Sequence, residues 1–211
     1  MDKYHSPLVA DNYYHVFNRA IGREKLFIST DDYEYFLQKL KCHTLPVADI
    51  FAYSLLPNHF HLVMRINSQD ILAAHFQSKK RKPFDALTHD ISDFNMERFS
   101  NWLNGYTKFF NNKYDRKGGL FIDYTKRIEA KSDADITSFI LYTHQNAVHH
   151  RLRKEIGQWP YDSYQEILGR GPTFLMRTEM IEWFGSAQRF EEFHKQPVHP
   201  RTYKILRNLI G

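Results

Sequence analysis

Two runs of β-favouring apolar residues, Val47 to Leu55 and His59 to Ile66, are separated by little more than Pro57-Asn58. That is the layout of a short antiparallel hairpin, and it commits the chain to a sheet. The second run opens with His59-Phe60-His61. Side chains alternate faces along a strand, so His59 and His61 project together while Phe60 points the other way. Two imidazoles on one face make a two-point metal grip. With 12 histidines in 211 residues, about 0.7 such pairs arise by chance, so the neighbouring sequence has to decide. The plain alternative is a pair of histidines with ordinary hydrogen bonds on a half-exposed strand.

The other elements fall around this hairpin. Tyr13 to Arg19 reads as a first strand ending in a turn at Ala20-Ile21-Gly22-Arg23, with a brief strand over Leu26 to Ile28. Thr30 is a plausible cap for a first helix over about 31–42, carrying Tyr33, Phe36, Leu37 and Leu40 at helical spacing. Residues 67–97 read as an irregular insertion, partly helical, bearing the basic run Lys79-Lys80-Arg81-Lys82. A second helix carries the stripe Phe99, Trp102, Leu103, Tyr106, Phe109 and Phe110 and stops at Gly118-Gly119. Leu120 to Thr125 reads as a fourth strand, and Asp133 or Asp135 caps a third helix reaching about His149. The order β-α-β-β-α-β-α, with a helical segment over 178–194, points to an α+β sandwich whose helices cover one sheet face.

Composition narrows the partners. A hydrophobic share of 42% supports one sizeable core, and no apolar run approaches the length of a membrane span. The charged start Met1-Asp2-Lys3-Tyr4-His5 lacks the apolar core of a signal peptide, and Cys42 is the single cysteine. A cytoplasmic location is expected, and any metal must be held by His, carboxylate or amide. A net charge of +5 with 16% aromatic residues suits a polyanion with unpaired bases.

On the third helix Tyr142 and Asn146 are four residues apart and share a face. If that face looks at His59 and His61, the Asn146 amide oxygen completes a three-ligand site and Tyr142 hangs beside the ion. A divalent ion polarising a phosphate while a tyrosine oxygen attacks is the chemistry of phosphodiester transesterification. Imidazole and amide ligands with open positions fit Mg²⁺ or Mn²⁺ in use, and Zn²⁺ or Ni²⁺ in a preparation.

Tyr14-His15-Val16-Phe17-Asn18-Arg19, Leu56 to Val63, Tyr106 to Asn111 through Gly118 to Phe121, and Tyr142 to Val148 follow in a specific order. Over most of residues 8–168 this pattern resembles the REP-associated tyrosine transposases of the single-tyrosine HUH endonuclease superfamily. The resemblance implies a ferredoxin-like domain over 1–168, a C-terminal helical extension over 169–211, and a substrate of single-stranded hairpin DNA. It also implies cleavage beside the hairpin, leaving a 5′-phosphotyrosine and a free 3′-hydroxyl, by a monomer or a homodimer. Carried over, His59 and His61 match the paired metal ligands, Asn146 the third ligand and Tyr142 the nucleophile. Where the family has proline after this asparagine the chain has Ala147, which lets the helix run on.

Phosphate contacts are expected from Arg19, Lys126, Arg127, Arg151 and Arg153, whereas the 79–82 run reads as a solvated charged loop. Tyr106 is a rival nucleophile, but its place in an amphipathic stripe marks it as core. The alternative functions are a hairpin DNA- or RNA-binding module that does not cut, and a zinc hydrolase using His59 and His61.

Overall fold

The computed structural model describes residues 5–85 and 89–207; residues 1–4 of the charged start, 86–88 of the 67–97 segment and 208–211 of the extension lie outside these. Four strands, β1 (Tyr13–Arg19), β2 (Ala48–Leu56), β3 (His59–Ile66) and β4 (Lys126–Glu129), form one antiparallel sheet in the order β2-β3-β1-β4. With α1 (Thr30–Thr44), α2 (Gln69–Lys80), α3 (Ile91–Lys113) and α4 (Asp133–His149), this is the ferredoxin-like arrangement.

Burial explains the layering. Nearly every residue of β2 and β3 is buried, which requires cover on both faces. Phe60 meets Phe36 of α1 and Trp102 of α3 at ring separations of 5.2 and 5.1 Å, so these two helices form the layer on the Phe60 face. The histidine face is covered by α4, and the helices thus divide between the two faces. Tyr106 belongs to the first layer, its hydroxyl donating to the Leu26 carbonyl, as the core reading required.

Five local expectations are corrected. The N-cap of α1 is Ser29, whose backbone N–H is held by Asp32 at 2.9 Å, and that of α4 is Ser132. Leu26 to Ile28 forms no strand; Leu26 and Phe27 donate their N–H groups to the single carbonyl of Pro57. The fourth strand begins at Lys126 rather than Leu120, because Phe121 makes only an isolated bridge to Ala20 and Tyr124 takes φ 62°, which breaks an extended run. The 67–97 segment is more regular than expected, supplying α2 and the first turns of α3.

The C-terminal extension folds onto the histidine face. Met176 donates to the Ile50 carbonyl, and Glu179 pairs with Arg65 at 2.8 Å. After the short α5 (Tyr164–Leu168), helix α6 (Arg177–Phe184) stops at Gly185, whose φ of 80° suits glycine, before α7 (Ala187–His194) and α8 (Pro200–Arg207) pack on α4. No helix among the described residues is long and apolar enough to cross a membrane.

Candidate metal and tyrosine site

Register fixes who faces the site. Residues paired across strands share a face, so His59 sits beside Arg19, and His61 beside Phe17, which in turn sits beside Lys126. Helix α4 crosses above this row and runs to His149, as Ala147 in place of proline permits. Its Tyr142–Asn146 face points at the two histidines: Asn146 Oδ1 lies 3.2 Å from His59 Nε2, and the Tyr142 ring centroid is 5.5 Å from that of His61.

His59 meets an amide oxygen at each nitrogen, Asn58 Oδ1 at 2.7 Å from Nδ1 and Asn146 Oδ1 at 3.2 Å from Nε2. Both oxygens only accept and a neutral ring carries one proton, so the shorter contact takes it and places it on Nδ1. Burial pushes the His59 pKa down to about 3, so the ring is neutral and Nε2 carries a lone pair. That lone pair faces another acceptor, Asn146 Oδ1. His61 Nε2 is buried with no partner, and burial holds this ring far below its usual pKa too. Two acceptors in opposition beside an orphaned nitrogen form an arrangement that a cation would reconcile. Ligands about 2.1 Å from an octahedral ion at right angles lie about 3.0 Å apart, close to the observed spacing.

The donor set therefore fits a divalent ion of the Mg²⁺ or Mn²⁺ class, with His59, His61 and Asn146 as the residues that could hold it. Among the described residues no group of three His, Cys, Asp or Glu is placed to hold a metal; beside the two histidines, the Asn146 amide oxygen is the group that could serve as a third ligand. With no carboxylate among the three, the charge of a bound cation is undiminished and open to phosphate.

Tyr142 is 2% exposed, and its ring packs against His149 of α4 and Tyr203 of α8 at centroid separations of 5.5 and 6.3 Å. On the His59 side the site opens into a cavity of about 300 Å³ lined by Arg23, Lys25, Asn58 and His150 among others.

The expected DNA-contacting residues separate. Arg19 and Lys126 stand on the histidine face. Arg127 pairs with Val16, on the opposite face, and its guanidinium donates to the carbonyls of His5, Ser6 and Thr125, binding the N-terminal segment to the sheet edge. Arg153 donates to the carbonyls of Leu152 and Gln158 and lies over the Trp159 ring, so it too serves the fold. Arg151 is exposed just beyond α4.

Sequence reasoning missed Asn58 and His15. In the sequence Asn58 is a turn residue and His15 part of a β-strand pattern, each within a segment that carries the family resemblance but with no role of its own; their roles depend on partners that strand pairing supplies.

No protein-family model and no curated protein matches the sequence. Among solved structures the chain is similar to one described as a REP-associated tyrosine transposase bound to a REP hairpin. The match has a TM-score of 0.59 at 13% identity and covers 82% of this chain and 90% of that one. At that identity the likeness is one of fold alone.

Proposed function

We propose that the protein binds single-stranded hairpin DNA and cleaves and rejoins it through a covalent bond to Tyr142. The observation that carries this reading is the 3.2 Å approach of His59 Nε2 to Asn146 Oδ1 beside the His61 ring, whose Nε2 is buried without a partner and which packs against the Tyr142 ring. When bound, a divalent cation supplies charge that polarises a phosphate. The Tyr142 oxygen forms a bond to phosphorus as the bond from phosphorus to O3′ breaks, and the phenolic proton ends on the 3′-hydroxyl. The product is a 5′-phosphotyrosine, and attack by a 3′-hydroxyl reverses the step and rejoins DNA. Arg19 and Lys126, on the same sheet face, meet the backbone of the strand, with Arg151 at its margin. Asn58 holds the His59 proton on Nδ1 and thereby keeps Nε2 free to ligate.

The 2% exposure of Tyr142 is the observation on the side of a second reading, a hairpin-binding module of the same fold that does not cut. A suicide oligonucleotide with Mn²⁺ separates the two. The first expects a denaturation-resistant protein–DNA adduct that vanishes in Tyr142→Phe; the second expects hairpin binding with no adduct in either protein. Cleavage that survives Tyr142→Phe without an adduct points instead to a water nucleophile.

A further inference from the structure

His15 is a fully buried imidazole that the reaction above does not use. It stands on β1 opposite Val63, on the histidine face, enclosed by the rings of Phe17, Phe139 and Tyr142. Its Nε2 lies 3.0 Å from His61 Nδ1, with the two rings stacked at 24°, and its own Nδ1 has no partner.

A pair of neutral imidazoles sharing one hydrogen bond has two proton arrangements. In one, His15 Nε2–H donates to His61 Nδ1, and His61 must carry its proton on Nε2, which then cannot ligate. In the other, His61 Nδ1–H donates to His15 Nε2, and His61 Nε2 is a bare lone pair on the side of His59 and Asn146. Each arrangement leaves one buried N–H without a partner, so neither is favoured by that count alone and a cation tips the balance to the second. Without the Nε2 acceptor of His15, an N–H at His61 Nδ1 would have nothing to meet in a pocket walled by aromatic rings, and the ligating arrangement would carry the cost of an unpaired buried donor on His61 itself.

We propose that His15 is a positioning residue that holds His61 in its ligating tautomer and ring orientation. This rests on the reading that His59, His61 and Asn146 bind a divalent cation. A metal-bound histidine commonly donates its second N–H to a fixed acceptor, and loss of that acceptor weakens metal binding by about 10–100-fold. Here the acceptor is a neutral imidazole rather than a carboxylate.

The test uses the full chain and Mn²⁺ alone, with bound ion followed by electron paramagnetic resonance. His15→Phe keeps the aromatic volume, so a mere packing role predicts wild-type affinity, whereas the positioning role predicts a roughly 10–100-fold loss with the fold intact by circular dichroism. Should His15→Phe not fold, long-range ¹H–¹⁵N spectra of the wild type loaded with diamagnetic Zn²⁺ decide: His61 is expected with its proton on Nδ1. Wild-type Mn²⁺ affinity in a folded His15→Phe protein overturns the proposal, as does a His61 proton on Nε2 with Zn²⁺ bound. Failure of the wild type to bind Mn²⁺ at all would instead remove the cation site on which it rests.

Discussion

The side-chain oxygen of Asn146 stands 3.2 Å from His59 Nε2, one acceptor facing another across the gap between α4 and β3. In a metal-free protein that opposition is unfavourable, and on the proposed function a bound cation relieves it. Asn146→Leu, which keeps the volume and removes the oxygen, is expected to lower Mn²⁺ affinity by at least about tenfold and to abolish the DNA adduct. Removal of one of two opposed acceptors also predicts that the metal-free variant is no less stable than wild type. A Mn²⁺ titration and a urea melt in chelator check both halves.

The basic side chains should divide by face. Lys126→Ala and Arg19→Ala are each expected to weaken hairpin DNA binding regardless of sequence and to reduce the salt slope of the affinity by about 1. Arg127→Ala should leave that slope unchanged and destabilise the fold by about 1–3 kcal/mol, because its charged bonds to the carbonyls of His5, Ser6 and Thr125 are lost. Binding isotherms at several salt concentrations, set beside thermal melts, distinguish the two classes.

How much of this was legible depends on the range of the interaction. The hairpin at Pro57-Asn58 fixed the register of β2 on β3, and strand period placed His59 and His61 together; helix period did the same for Tyr142 and Asn146. All of these are local. The pairing of His15 with His61 joins residues 46 apart, and that of His144 with His194 joins residues 50 apart, so no spacing rule announces them. The edge strand was misplaced for a different reason. Leu120 and Phe121 look like strand residues because they are anchored near Ala20, while the real β4, Lys126–Glu129, buries only Ile128. Arg127 and Arg153 look like phosphate contacts in the sequence because a sequence does not show which carbonyls a guanidinium will meet.

Acid should unfold the protein through its buried histidines. His194 Nδ1–H donates to the Phe190 carbonyl, so its Nε2 accepts from His144 Nδ1–H, and His144 Nε2 accepts from the Ser163 hydroxyl. This chain of neutral groups ties α4 to α7, and one added proton breaks it. Burial pushes the pKa of His15 and His59 down to about 3 and that of His194 to about 4. Their unfolded values lie near 6.5, so the unfolded chain binds more protons and stability falls as pH drops below that value. Each group costs at most about 1.4 kcal/mol per pH unit, and three together rival a net stability of about 5–15 kcal/mol within a few units. Stability is expected to fall below pH 6.5 by up to about 4 kcal/mol per pH unit from these three groups. Mn²⁺ should move the acid midpoint downward, because a cation competes with protons for His59. A midpoint in circular dichroism that ignores Mn²⁺ would count against the site.

Asp162 should act with the opposite sign. It is 6% exposed, accepts the Tyr164 backbone N–H at 3.0 Å through Oδ1, and leaves Oδ2 buried without a partner. Burial pushes its pKa up to about 7, against an unfolded value near 4. Between those values the native state holds a proton that the unfolded chain has released, so this group destabilises the fold increasingly as pH rises, levelling off above 7. Asp162→Asn stays neutral throughout and keeps an oxygen for the Tyr164 N–H. Its advantage over wild type should be near zero at pH 4, grow by about 1.4 kcal/mol per pH unit, and reach a plateau above pH 7. Urea unfolding of both proteins from about pH 6 to 8 in chelator, above the acid transition, gives the rise and its plateau directly, since the histidine contribution is common to the two and cancels. A difference that does not change with pH would mean that Asp162 is ionised in the native protein across the range, its charge met by a partner at Oδ2.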